Sequence, residues 1–296
     1  MLTVAAFYHF TPFRDPAALK PALVKQALAH GVKGSLLLAP EGINGTIAGT
    51  REAIDAMLGQ IRRLPGCEAL EWKESRASEM PFKRMKVRLK REIVTMGQSD
   101  VDPTAAVGRY VEPADWNELI RAPDVAVIDT RNAYEVAIGT FAGAIDPLTG
   151  SFREFPAWWR ANRDRFAGKR IAMFCTGGIR CEKSTNWLIG QGVGDVYHLK
   201  GGILRYLQDV SADESLWRGE CYVFDKRVSV GHGLAEGSHS LCHACGRPVS
   251  RADRAHEAFE EGVQCRGCVE EYGEPARARF RERQRQIALA KARETA

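Results

Sequence analysis

The stretch IAMFCTGGIRCEKSTNWL, residues 171–188, gathers most of the chemistry of this chain. An apolar run delivers Cys175 to its end, the loop Thr176-Gly177-Gly178-Ile179-Arg180 follows, and helical spacing then begins with Cys181 one position beyond the loop. Two glycines let a backbone curl so that successive N–H groups point inward and cradle an anion. A helix N-terminus adds partial positive charge and Arg180 a full one, surroundings that favour a thiolate, the nucleophilic form of cysteine. Cys175 therefore reads as a nucleophile, with a buried structural cysteine as the alternative. Cys181 reads as a second thiol.

Four other cysteines, Cys242, Cys245, Cys265 and Cys268, form C-x2-C-x19-C-x2-C. That spacing suits a closed, structural four-thiolate zinc site, and reduced thiols or an occasional disulfide are the alternative. The nearby His239, His243 and His256 read as ordinary polar residues, and Cys67 and Cys221 as structural thiols.

A third constellation is cationic. FKRMKVRLKR at 82–91 has six basic residues and no acid. As a strand it places Arg84, Lys86, Arg88 and Lys90 on one face and Met85, Val87 and Leu89 on the other. Same-face neighbours lie about 7 Å apart, inside the Debye length at physiological salt, so they repel unless a polyanion approaches. Nucleic acid and a charge-protected edge strand are the two readings left open.

The elements that must position these groups divide the chain. Apolar patterning over 3–10, a helical spacing at Leu19, Leu23, Ala27 and Leu28, strands at GSLLLAP and INGTIAG, a helix capped by Thr50, and extended stretches at 68–73 and 82–95 give the order β-α-β-β-α-β. That order predicts a ferredoxin-like α+β domain over 1–96. Residues 97–120 read as a linker, 121–215 as an α/β domain with VAVID and IAMFC as buried parallel strands, 216–275 as a small Cys-rich module, and 276–296 as a basic tail. The whole is a multidomain chain of α+β and α/β parts.

At 296 residues the length suits two or three domains, and 45% apolar with 27% charged residues suits a folded globular chain. The net charge of +5 is matched by the tail, where Arg277, Arg279, Arg281, Arg283, Arg285, Lys291 and Arg293 face only Glu282 and Glu294. The tail reads equally as a phosphate-binding segment or a solvated helix. No apolar run is long enough for a membrane span, and the first residues lack a secretory leader, so a reducing cytoplasm is expected and disulfides are not.

CTGGIR resembles the active-site loop of rhodaneses, with Asp129, Arg131, Glu135 and Gly143 upstream and VYHLKGGILRYL downstream. In that superfamily the first loop cysteine carries a persulfide, which transfers to Cys175. Longer strings narrow the resemblance. EGINGTIAG, PFKRMKVRLKREIVTMG, YVEPADWNELI, CTGGIRCEKS and GECYVFDKRVSV are similar to the rhodanese-like tRNA uridine(34) hydroxylases. The resemblance implies an N-terminal ferredoxin-like domain, a central rhodanese domain, tRNA as partner and 5-hydroxylation of the wobble uridine with molecular oxygen as co-substrate. It also favours tRNA for the basic face. The residues themselves point to sulfur chemistry. No His-x-Asp or His-x-Glu pair starts an iron triad and no G-x-G-x-x-G marks a flavin or nicotinamide site. The second reading is thus a persulfide sulfurtransferase fed by a small-molecule sulfur donor.

Overall fold

In the computed structural model, residues 1–295 are described; Ala296, the end of the basic tail, and the side chains of Lys291, Glu294 and Thr295 lie outside the description. The N-terminal part runs β1 (Leu2–Phe10), α1 (Pro16–Ala29), β2 (Lys33–Ala39), β3 (Gly42–Gly49), α2 (Arg51–Arg62), β4 (Trp72–Ala77) and β5 (Met85–Leu89). Strand order is β4-β1-β3-β2-β5, the ferredoxin-like arrangement with one strand added at the edge. Both helices cover one face. Thr50 caps α2 through its hydroxyl, which accepts from the Ala53 amide, and Ala53, Ile54, Met57, Leu58 and Ile61 form its buried stripe. Leu23 and Ala27 are the buried residues of α1, whereas Leu28, one step off that stripe, is exposed. The other face of the sheet is left without helices.

Two expected strands are displaced or shortened. The extended stretch expected at 68–73 forms as Trp72–Ala77, where residues pair with β1. The strand expected over 82–95 forms only at Met85–Leu89, parallel to β2, with the Arg84 carbonyl and the Lys90 amide also bonded to β2 at its two ends. Beyond it, Glu92 turns inward to meet a lysine of the next domain, which ends the pairing.

The second part consists of β6 (Arg109–Val111), α3 (Pro113–Arg121), β7 (Val125–Asp129), α4 (Ala133–Val136), β8 (Gly139–Phe141), α5 (Phe155–Asn162), β9 (Arg170–Phe174), α6 (Ile179–Gly190), β10 (Val196–Leu199) and α7 (Gly202–Asp209). Its sheet is parallel, in the order β6-β10-β9-β7. The linker expected over 97–120 is corrected here. Residues 109–111 are the edge strand of this sheet and α3 packs Trp116 fully buried into its core. Three residues are too few to show a period, and Pro113 at the start of α3 is an N-terminal helix residue rather than a breaker.

The segment 216–236, expected within the Cys-rich module, also belongs elsewhere. β11 (Trp217–Gly219) pairs with β8, and Val223, Val230 and Leu234 join the second core. The Arg227 guanidinium donates to Ser75 Oγ at 2.7 Å, tying this segment to the N-terminal sheet. The cysteine-rich part proper starts near residue 240 and is followed by the helix Glu274–Thr295. That helix packs on the module: Arg281 pairs with Glu260 at 2.7 Å and Arg283 donates to the His243 carbonyl at 2.7 Å. None of the described helices is long and apolar enough to cross a membrane.

The first two domains are joined through α6. The Lys183 ammonium, whose side chain is 2% exposed, sits 2.7 Å from both Glu41 Oε2 and Glu92 Oε2. Burial opposes ionisation of Glu92, but the Lys183 hydrogen bond and the amides of Met96 and Gly97 outweigh it and hold its pKa below the usual value. Its contribution to stability is complete above the ordinary carboxylate range and is lost as pH falls through the depressed value. Replacing Lys183 by Met strands two carboxylates and is expected to cost about 3 kcal/mol. Denaturant titrations across pH check this: the wild type should weaken below about pH 4, and the variant should be weaker at neutral pH with a flatter acid limb.

Candidate active site

β9 is buried throughout its last four residues, so the chain can emerge into a ligand site only at its C-terminal end, where Cys175 stands. The loop then turns at Gly178, whose φ of +105° a side chain rarely adopts. The Gly178 amide donates to Cys175 Sγ at 3.1 Å. α7 fixes the outer side of the loop. Its N-terminal amides at Ile203 and Leu204 donate to the Cys175 and Thr176 carbonyls, each at 3.0 Å. Those carbonyls face away from the sulfur, which leaves the following amides free to face it. Gly202 allows this close approach: a Cβ there would lie 2.5 Å from the Cys175 carbonyl oxygen.

Arg180 lies in the first turn of α6 and forms a two-point pair with Glu135, at 2.7 and 2.8 Å. Thr176 Oγ1 donates to Glu135 Oε1 at 3.3 Å and accepts from Arg180 Nη2 at 3.2 Å, so the pair also pins the loop. Burial works against the Glu135 carboxylate, but the Arg180 charge and hydrogen bonds hold it ionised, below its ordinary pKa. Asp129 and Arg131 form a second fully buried pair at 2.6 Å, which Thr140 and the Gly139 carbonyl complete. These two pairs brace the loop from behind.

Burial also opposes a Cys175 thiolate. The Cys181 thiol, the Arg180 charge and the amides of Cys181 and Arg180 overcome that penalty and hold Cys175 well below the normal thiol range. Cys181 goes the other way, raised by burial and by the neighbouring Cys175 charge. The two thiols are brought together with opposite tendencies, Cys175 toward the anion and Cys181 toward the neutral thiol.

Above the loop lies a cavity of about 510 Å³. Its floor is Cys175, Thr176, Gly177, Ile179 and Arg180. Its ceiling is the helix-free face of the N-terminal sheet, with Ala6, Tyr8, Ser35, Leu37, Thr46 and Lys73. One side is closed by Val223, Phe224, Asp225 and Arg227 of the segment after β11. Tyr8, Lys73, Asn44 and Phe224 were not singled out by sequence spacing. They lie far from the loop along the chain, and only the period-two alternation of β1, β3 and β4 held any sign of the face that Tyr8, Asn44 and Lys73 share.

The basic strand reaches this cavity. Ser35 pairs with Lys86 and Leu37 with Arg88, so the register puts both cations on the face that lines the ceiling. Arg84 and Lys90 flank the strand, exposed like the other two, and Lys90 lines the cavity itself. Leu89, expected to be on the buried face, is 46% exposed because pairing ends there.

The four remaining cysteines also come together. Their sulfurs lie within 4.8 Å of one another, with separations of 3.9 Å for Cys242–Cys268 and Cys245–Cys265 and 3.7 Å for Cys265–Cys268. A tetrahedron with metal–sulfur bonds of about 2.3 Å has edges of about 3.8 Å, so the quartet fits a four-thiolate metal site. Gly246, at φ +78°, makes the tight turn after the second cysteine and donates to the Cys242 carbonyl at 2.7 Å. His239 is engaged by Glu220 at 2.7 Å instead.

Comparison with known proteins agrees with this layout. Residues 2–93 match the profile described as UPF0176 acylphosphatase like domain, 112–209 the Rhodanese-like domain, and 218–277 Rhodanase C-terminal. A protein of Ruegeria pomeroyi named tRNA uridine(34) hydroxylase is 69% identical over 293 residues, 99% of this chain and 97% of that one. Proteins of the same name from Roseobacter denitrificans and Gluconobacter oxydans are 64% and 60% identical, each over 99% of this chain and over 99% and 95% of their own lengths. The chain belongs to the tRNA uridine(34) hydroxylase family. Within this family member, the rhodanese-like loop and the acylphosphatase-like sheet are the two walls of one cavity.

The metal site is open to a direct check. Protein purified without chelator is expected to hold about one metal ion per chain. Cys245→Ser should lower that content and increase hydrogen exchange across residues 240–275. A metal-free preparation with the module fully protected would contradict the assignment.

Proposed function

We propose that this protein hydroxylates the wobble uridine of tRNA, with Cys175 as its reactive sulfur. The observation that carries the reading is the position of Cys175 on the floor of a partly open cavity whose opposite wall bears a cationic face. A nucleobase fits that space once it is turned out of its stack, and the anticodon loop is single-stranded and offers such a base. Arg84, Lys86, Arg88 and Lys90 would meet the phosphates beside it. Addition of the Cys175 thiolate to C6 of the uracil ring would put electron density on C5, the carbon that receives oxygen. With molecular oxygen as co-substrate, one atom enters the base and the other leaves as water, the two electrons and two protons coming from a dithiol that is oxidised to its disulfide. Loss of the C5 proton with departure of the Cys175 thiolate from C6 then restores the ring. Cys181 would serve as a proton donor to the sulfur or as a second redox thiol. Zinc is the metal we assign to the quartet, in a structural role, because four cysteine sulfurs, three of them buried, with no open position suit it. The cytoplasm is the compartment this reading requires.

Sulfur transfer is the second reading, favoured by the amide donated to Cys175 Sγ. A persulfide on Cys175 would occupy the same ring of amides, its sulfur supplied by a small-molecule donor.

Two experiments separate these readings. Incubation of unmodified tRNA with the protein and an excess of dithiothreitol in air, followed by mass spectrometry of nucleosides, should yield 5-hydroxyuridine, and Cys175→Ser should yield none while still binding tRNA. Thiolated nucleosides in place of hydroxylated ones would favour sulfur transfer. Changing Arg84, Lys86 and Arg88 together to Ala should leave folding intact, weaken tRNA binding and flatten its salt dependence by up to about three phosphate contacts. An unaltered salt slope would leave those residues as a solvated edge.

A further inference from the structure

Lys73 comes from β4, in the domain opposite the reactive loop, and its ammonium donates to the Gly177 carbonyl at 2.9 Å. That carbonyl belongs to the peptide group between Gly177 and Gly178. A trans peptide carries its C=O and N–H on opposite sides, and the N–H of this one is the donor to Cys175 Sγ. The ammonium, one peptide group and the sulfur therefore form a continuous chain: Nζ–H to O=C, then N–H to Sγ. Tyr8 holds the arrangement from above. Its ring is 5.1 Å from Lys73 Nζ, and its hydroxyl lies 2.7 Å from where a Gly178 Cβ would stand.

We propose that Lys73 is a positioning residue for Cys175, which orients and polarises the Gly177–Gly178 peptide so that its N–H faces the sulfur. The inference rests on the reading of Cys175 as the reactive thiol. A cation on the carbonyl draws electron density through the amide and makes its N–H a stronger donor, as in any linked hydrogen-bond chain. It also opposes a flip of this peptide, which the two glycines would otherwise permit, since a flip would aim the carbonyl oxygen at the sulfur. Burial pushes the Lys73 pKa down to about 8, partly offset by the Cys175 charge, so the side chain remains mostly protonated at neutral pH. The other charged or titratable groups facing this pair are Glu71, Glu182 and Arg205 around the lysine, and Arg180 and Cys181 around the sulfur. Glu182 is engaged by Tyr8 and Tyr110, each at 2.9 Å, and so leaves Lys73 to the peptide.

The consequence is that the rhodanese-like loop is completed by a residue of the N-terminal domain. The test is a thiolate titration of the full-length, reduced protein by ultraviolet absorbance, with Cys175→Ser as the subtracted reference. Wild type should show a thiolate step well below the ordinary thiol range. Lys73→Met should raise that step by about one pH unit, about a tenfold loss of thiolate at lower pH, and Lys73→Arg should keep it near the wild-type position. A folded Lys73→Met protein with the wild-type step overturns the proposal and leaves the Cys175 reading standing. Absence of any low step in the wild-type difference titration would instead defeat the Cys175 reading on which the proposal rests. Circular dichroism and melting establish folding. If the Met variant does not fold, Lys73→Gln removes the charge on a soluble side chain and is read in the same way.

Discussion

A buried ammonium at a domain boundary needs anionic partners, and Lys183, on the helix that begins at the reactive loop, finds them in the half-buried Glu41 and Glu92. One ion cluster thereby fixes the distance between the N-terminal sheet and the loop. Glu41 accepts from the Ile93 amide as well, so the chain leaving β5 is tied down at the same point. Cys175, the cavity above it and the cationic strand beside it keep their relation because α6 is held from the other domain. A buried pair of this kind adds little to net stability compared with apolar packing, but it specifies one geometry among several.

The loop itself balances large opposing terms. Full burial disfavours a thiolate at Cys175 and would do so decisively in an apolar pocket. Here the same burial strengthens every dipole aimed at the sulfur, because there is little water to screen it. The Glu135–Arg180 pair shows the same compensation, with each partner oriented by the other and by Thr176. The site is thus a set of charges that are expensive singly and tolerated together.

Much of this was legible in the residues. CTGGIR identified the loop because each residue in it has a local task, and local tasks leave local spacing. The cysteine quartet was legible for the same reason. Strands that flank a turn-prone segment, such as β2 and β3 on either side of PEGING, were placed well, and the stripe of α2 was read residue by residue. What spacing could not supply was anything decided by tertiary pairing. β6 has three residues and exists only because β10 lies beside it. Lys73 and Tyr8 read as ordinary members of a two-sided strand, and nothing in WKESRA distinguishes the lysine that meets the loop. The segment 216–236 looked like the start of the cysteine module because its charge and glycine content hide the few apolar residues, Val223, Val230 and Leu234, that bury it against the other two domains.

Three separate stretches of this chain match three separate domain profiles, yet all three supply walls to one cavity. The domains are modular in sequence and not in chemistry. A rhodanese-like domain transplanted from another protein would bring the cysteine and its loop but neither the ceiling nor the side wall, and the N-terminal sheet alone would bring a cationic face with nothing beneath it. The three stretches must therefore be inherited as a unit, and a change in the face of the first that lines the cavity is constrained by residues in the second. Recombination at the domain boundaries would separate the walls of the cavity and leave Lys183 without its two carboxylate partners.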